Sequence, residues 1–244
     1  MTLDLHTQGF LDALARIDAR KEKREMKPYY QDDLITLYHG DCLQITEWLD
    51  ADVLVTDPPY GQSYKSNMDR GTRTEWHDSI KGDDNTDLRD EALELWGDSK
   101  VALVFGTWKV TKPQKTRQTV VWDKTPCGFM GDLAIPFGTA HEEIYCLGKI
   151  GWTGTREASI IKAQMLMSND ANRPNHPTPK PVGLMERLLD KTLGVVADPF
   201  AGSGATLLAA RNLGRQVIGI ELEEQYCELI AKRASQSAFD FSKL

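Results

Sequence analysis

Val195 to Glu221 reads VVADPFAGSGATLLAARNLGRQVIGIE, and this stretch decides the fold. Val195-Val196-Ala197 is a short apolar run ending on an acid, Asp198. A glycine-bearing loop follows, Phe200-Ala201-Gly202-Ser203-Gly204-Ala205, and Thr206 to Arg211 reads as a helix. Past Gly214, Val217-Ile218-Gly219-Ile220 is a second apolar strand, and it too ends on an acid, Glu221. A strand–loop–helix–strand unit of this kind is the first half of a nucleotide-binding α/β fold.

The residue types of the loop constrain its ligand. Gly202 and Gly204 let the backbone turn sharply and approach a ligand with no Cβ in the way. The acid after the second strand lies about twenty residues downstream, where such folds set a carboxylate against a ribose diol. NAD is the obvious competitor, and two details oppose it. The third glycine position of the dinucleotide pattern holds Leu207, and Asp198 stands at the loop entrance, where a pyrophosphate would be repelled. A carboxylate there suits a cation better, such as the ammonium and sulfonium of S-adenosylmethionine. The plain alternative is an ordinary strand–helix connection.

The chain has 244 residues, which fits one α/β domain with room for an insertion. Hydrophobic residues make up 41%, enough for a core. No run is long and apolar enough to span a bilayer, and the N-terminus lacks a signal-peptide layout. Cys42, Cys127, Cys146 and Cys227 are scattered without a CxxC pair, so reduced thiols in a cytoplasm are expected, with no zinc site. The five histidines form no ligand-spaced group, and no metal is expected. The net charge of −7 leans against non-specific nucleic-acid binding, although a local basic patch would suffice for contact.

Residues 7–26 read as a helix, and residues 1–28 as an N-terminal arm ahead of a single domain over 29–244. Leu34 to Tyr38 reads as a strand followed by Gly40-Asp41-Cys42, and Leu43 to Leu49 is helix-like. Val53-Leu54-Val55 has the apolar character of a buried parallel strand and delivers Asp57-Pro58-Pro59-Tyr60. Further strands are expected at Val101 to Phe105, Val120 to Trp122 and Ile144 to Leu147, with helices at Thr86 to Trp96, Val182 to Leu193 and Glu223 to Ser235. Residues 61–84 and 148–175 show weak structure signals. Ligands of open α/β sheets bind beyond the C-terminal strand ends. Asp41, Asp57, Asp198 and Glu221 would all lie on that edge, more acids than a scaffold needs.

The Asp57-Pro58-Pro59-Tyr60 tetrapeptide carries the sharpest chemistry. Two prolines make a stiff turn that fixes the directions of the Asp57 carboxylate and the Pro58 carbonyl. Both are acceptors, and together they can receive the two hydrogens of an exocyclic amine. Tyr60 can stack on the face of the base. An amine inside a duplex is out of reach, so the base must be flipped out.

With these motifs the chain resembles the S-adenosylmethionine-dependent amino-methyltransferases of DNA, in their permuted β class. The GDC at Gly40 to Cys42, DPPY at Asp57 to Tyr60, HPTPKP at His176 to Pro181 and DPFAGSGAT at Asp198 to Thr206 fall in that family's order. Pro179 replaces the family's usual Gln. The resemblance implies a Rossmann-like methyltransferase fold, a mostly parallel sheet with helices on both faces and circularly permuted motif order. It implies that Asp57, Pro58, Pro59 and Tyr60 form the catalytic motif. Asp41 would bind the cofactor's adenine amine and Glu221 its ribose hydroxyls. Asp198, Phe200, Ala201, Gly202, Ser203 and Gly204 would wrap its methionine part, with Thr178 and Lys180 closing over the carboxylate. DPPY rather than SPPY leans towards adenine N6 over cytosine N4.

Double-stranded DNA is the expected partner. Lys65, Arg70 and Arg73 after the tetrapeptide, and Lys109, Lys112, Lys115, Arg117 and Lys124, are candidate phosphate contacts. Residues 61–84 and 148–175 are candidates for strand insertion and target recognition. No endonuclease motif is visible, and a stand-alone cytoplasmic modification enzyme, bacterial or phage-encoded, is expected; either a monomer or a homodimer fits. Rival readings are an RNA or protein-amide methyltransferase, a non-enzymatic binder and an NAD-dependent oxidoreductase. The first is disfavoured by motif order, the second by the intact tetrapeptide, the third by Asp198 and Leu207.

Overall fold

The computed structural model describes residues 26–60, 85–126, 134–167, 170 and 173–240. The expected N-terminal helix, the 61–84 segment with Lys65, Arg70 and Arg73, and Cys127 therefore lie outside the described residues, save for residues 26–28 of the arm, which are irregular.

The strands form one sheet: β1 (Tyr30–Gln31), β2 (Ile35–His39), β3 (Val53–Thr56), β4 (Val101–Gly106), β5 (Gln118–Asp123), β6 (His141–Leu147), β7 (Ile160–Lys162), β8 (Val196–Asp198) and β9 (Val217–Glu221). Their spatial order is β1-β2-β9-β8-β3-β4-β6-β5-β7. β2, β9, β8, β3 and β4 are mutually parallel, so their C-terminal ends share one edge. β6 runs antiparallel to both β4 and β5.

Both faces of the parallel core are covered, which explains the unbroken apolar runs. Val53 and Val55 point to one face, under helices α2 (Val182–Leu189), α3 (Ala205–Asn212) and α4 (Glu224–Asp240). Leu54 points to the other, with Trp48 and with Ala92 and Trp96 of α1 (Asp87–Trp96). The Trp48 and Trp96 rings stack there, 5.9 Å apart.

Several elements differ from the sequence expectation. Leu43 to Leu49 does not form a helix; only a 3-10 turn, Glu47–Asp50, is present. The Asp41 carboxylate accepts from Leu43 N at 2.9 Å and commits the chain to a side-chain turn first. α2 stops at Leu189 because the chain must turn through Gly194 (φ 94°) into β8. The 148–175 segment contains β7, paired parallel to β5 with Ile160 opposite Val121. Before β7 this segment runs along the N-terminal edge of the sheet, where Ile150 bridges Lys100. β7 then carries it back to the edge where the acids lie.

Candidate active site

Thr56 is the last residue of β3 and Asp198 the last of the adjacent β8, and their side chains meet. Thr56 Oγ1 donates to Asp198 Oδ1 at 2.7 Å, and Phe200 N donates to the same oxygen at 3.2 Å. Asp198 is fully buried, and burial raises its carboxyl to about 6 despite these donors. The glycine loop follows directly. Gly202 (φ 50°) and Gly204 (φ 80°) both adopt the left-handed backbone that favours glycine. A Cβ on Gly204 would lie 2.9 Å from Ile230, so α4 closes over the loop.

Glu221, at the end of β9, fastens the loop from the other side. Its Oε2 accepts from Gly202 N at 2.7 Å and its Oε1 from Glu223 N at 2.8 Å. Burial pushes its carboxyl up to about 7, against those two amides. Gly40 N donates to Glu221 O at 2.9 Å, which sets the following Asp41 beside it at the end of β2. Phe200 is half-buried, while Ala201 and Ser203 are buried; the Ser203 carbonyl accepts from Arg233. The four acids expected on one edge are therefore on one edge. Glycines that admit close approach, flanked by two buried carboxylates of raised pKa, fit a ligand bearing positive charge and a diol.

Asp57 follows β3 and faces a second cluster. Tyr60 Oη donates to Asp57 Oδ1 at 2.5 Å, and Lys180 Nζ pairs with Asp57 Oδ2. Lys180 is buried and lies 3.5 Å from Glu142 Oε2, while Tyr60 Oη is 3.4 Å from that oxygen. Lys124 pairs with the other oxygen of Glu142. Burial raises the Asp57 carboxyl, and Lys180 only partly opposes this. Burial would also raise Glu142, but Lys180 and Lys124 outweigh it and hold Glu142 below the ordinary value. Lys180 thus sits in the Asp57 cluster. Thr178, expected beside it, is exposed, with its amide donating to His176 Nδ1 at 3.3 Å.

His176 joins the two halves of the site. Its ring meets Tyr226 of α4 edge-on at 4.7 Å, and a Cβ on Gly202 would lie 3.2 Å from its Nε2. Burial depresses its pKa to about 3, with Lys180 and the nearby arginines adding to this, so it is neutral. Residues 176–181 therefore pack one end on the glycine loop and the other on Asp57.

Among the described residues, the candidate basic side chains do not form one patch. Lys109 follows the C-terminal end of β4 on the site edge, near the exposed Trp108 ring. Lys112 reaches Glu143 at 3.7 Å and Thr119 at 3.3 Å. Lys115 pairs with Asp98, and Arg117 donates to Gly148 O at 2.8 Å, both towards the opposite edge. Glu142, Lys124 and Thr56 are site residues that sequence reasoning did not single out as such. Cys42, Cys146 and Cys227 are buried free thiols. Among the described residues no helix is long and apolar enough to cross a membrane.

A mostly parallel sheet with a glycine loop between two terminal acids, beside a proline-held carboxylate on the next strand, defines an α/β methyltransferase fold with permuted motif order. The family model described as DNA methylase, N6_N4_Mtase, matches residues 51–233, and the chain belongs to this family of DNA methyltransferases. YubD of Escherichia coli (strain K12) is 31% identical over 199 residues, covering 77% of this chain and 84% of YubD. The crystal structure of the M1.HpyAVI–SAM complex superposes with a TM-score of 0.55 at 21% identity, covering 82% of this chain and 100% of that one. The PvuII DNA methyltransferase, described as cytosine-N4-specific, gives a TM-score of 0.61 at 16% identity, covering 85% and 88%. The last two likenesses concern fold.

Proposed function

We propose that the protein transfers a methyl group from S-adenosylmethionine to the exocyclic N6 amine of adenine in double-stranded DNA, within a specific sequence and after base flipping. The observation that carries this is the pairing of β3 with β8, Val53 opposite Val196. It sets the Asp57 acceptor at the end of one strand directly beside the Asp198 to Gly204 loop at the end of the next.

The cofactor is S-adenosylmethionine, which supplies a methyl group on a cationic sulfur. In this reading Asp198 and the Phe200 to Gly204 loop hold its methionine end, Glu221 its ribose and Asp41 its adenine amine. Thr178, on the segment packed against the loop, is assigned to the carboxylate. Asp57 and the Pro58 carbonyl accept the two amine hydrogens and draw the nitrogen lone pair out of the ring. Tyr60 supplies the stacking face. The amine nitrogen would take the methyl group by direct displacement, the carbon–sulfur electron pair would leave with the sulfur of the cofactor, and the proton released by the amine would pass to the Asp57 carboxylate and from there to solvent. Phosphate contact falls to Lys109 and Lys112 on the site edge, with Lys65, Arg70 and Arg73 as further candidates.

Adenine is chosen over cytosine because the tetrapeptide begins with Asp57 rather than Ser. The test is incubation of the protein with unmethylated duplex DNA and S-adenosylmethionine, then mass spectrometry of the nucleosides. N6-methyladenine is the expected product. N4-methylcytosine would keep the mechanism and overturn the base; neither product on varied duplexes would overturn the DNA reading.

A further inference from the structure

Two carboxylates share one ammonium beside the glycine loop. Lys180 Nζ pairs with Asp57 Oδ2 and lies 3.5 Å from Glu142 Oε2. The Tyr60 hydroxyl has the same bias, 2.5 Å from Asp57 Oδ1 and 3.4 Å from Glu142 Oε2. Each donor is bonded to Asp57 and has a second acceptor within a small swing. Glu142 is itself held by Lys124 through its other oxygen, which fixes its position as a second acceptor. Both oxygens of Asp57 are thereby engaged. Accepting an amine hydrogen requires one donor to leave, and a buried ammonium leaves at great cost unless another carboxylate receives it.

We propose that Glu142 is a positioning residue for methyl transfer: it receives the Lys180 ammonium when the target amine takes the Asp57 oxygen that Lys180 holds. This inference rests on the amine-methylating reading above. The charges near the switch are those of Asp57, Glu142, Lys180 and Lys124, with Asp198 acting on Asp57 from β8 and His176 neutral behind Lys180. Lys180 also lies 5.2 Å from the Phe105 ring centre and 5.7 Å from that of Tyr60, which line its path with aromatic faces. Removing Glu142 leaves the ammonium to Asp57 alone. Removing Lys180 leaves two carboxylates facing each other.

These two perturbations have opposite signs, and that separates the switch from a scaffold role. The experiment is methyl transfer to DNA from pH 5.5 to 9 by the full chain and by Glu142→Gln, Glu142→Asp and Lys180→Met, with S-adenosylmethionine affinity by calorimetry. Glu142→Gln is expected to lower kcat/KM for DNA roughly ten- to hundredfold, the rate equivalent of one charged hydrogen bond. Its acid limb moves to lower pH, because Asp57 keeps the ammonium to itself, while that of Lys180→Met moves to higher pH. Cofactor affinity of Glu142→Gln stays within about twofold, and Glu142→Asp recovers most of the rate. Wild-type kinetics in Glu142→Gln, or a loss equal at every pH and not recovered by Asp, would make Glu142 part of the scaffold. Failure of the DNA reading itself would show differently, as a wild-type protein that methylates no base at any pH.

Discussion

Thr56 Oγ1 donates to Asp198 Oδ1 at 2.7 Å across 142 residues of sequence. The last residue of the strand that leads into Asp57 is thus bonded to the last residue of the strand that leads into the glycine loop. Replacing Thr56 by Val keeps the shape and removes the donor. The cost is about 1–2 kcal/mol for a buried carboxylate that loses one of its donors and keeps Phe200 N. The Asp198 carboxyl, already raised to about 6, rises further, so the expected loss of S-adenosylmethionine affinity is larger at pH 6.5 than at pH 8. Calorimetric titration of Thr56→Val at both values checks this; an equal loss at both would detach Asp198 ionisation from cofactor binding.

Asp57→Ala is expected to separate chemistry from cofactor binding. Asp57 touches Tyr60 and Lys180 and no residue of the glycine loop among the described hydrogen bonds. Lys180 retains Glu142 as a partner in the variant. Transfer should fall by about a hundredfold or more, the usual consequence of deleting a positioned acceptor, while cofactor affinity changes only a few-fold. Single-turnover assays with radiolabelled cofactor, run beside calorimetry, give both numbers. Near-normal turnover would remove Asp57 from the mechanism.

Glu221 predicts a pH signature without any cofactor. Burial lifts its carboxyl from 4.5 to about 7 in the fold. A raised folded value means a contribution to stability that is full below about pH 4.5 and lost as pH rises through 7. Glu221→Gln removes that loss. Relative to the wild type, the variant should gain stability between pH 5 and pH 8, on the order of 2 kcal/mol. In the proposed reading, where Glu221 takes the ribose diol, the variant should also bind S-adenosylmethionine more weakly. Urea midpoints at the two pH values test the first part, and parallel wild-type and variant curves would sink it.

The parts of the site legible in sequence share one property: their chemistry is local. Asp198, Gly202 and Gly204 stand within one loop, Glu221 ends the next strand, and Asp57 follows an apolar triplet. Apolar runs ending in acids gave β3, β8 and β9 because both sheet faces are buried, so no polar alternation blurs them. Glu142 had no such signal. It lies in HEEIYCL on β6, and its partners are 82 residues away at Tyr60 and 18 away at Lys124. Only the antiparallel return of β6 against β4 brings it to the acidic edge. Its neighbours in sequence group Lys124 with the candidate DNA-contact lysines, whereas its ammonium pairs with Glu142. β1 and β7 are two and three residues long, too short for any periodicity to declare them.

Leu207 offers the last prediction, because it fills the position where a dinucleotide fold would carry its third glycine. That glycine normally lets the helix approach the sheet closely. Here the small residue sits on the other partner. A Cβ on Gly219 of β9 would lie 2.8 Å from Leu207 Cδ2 and 3.0 Å from Cδ1, so the tip of the fully buried Leu207 would have to shift within the core. Gly219→Ala should therefore overpack the α3–β9 contact and cost about 1–3 kcal/mol. Leu207→Ala should cost about 2–5 kcal/mol through its cavity. In the double variant the new methyl group enters the space that Leu207 vacates. The two losses should then fall short of additivity by about 1 kcal/mol, as coupled neighbours do. Denaturation of the three variants gives the coupling directly. Strict additivity would mean that the close approach is not what Gly219 provides, and that α3 reaches the sheet by some other contact.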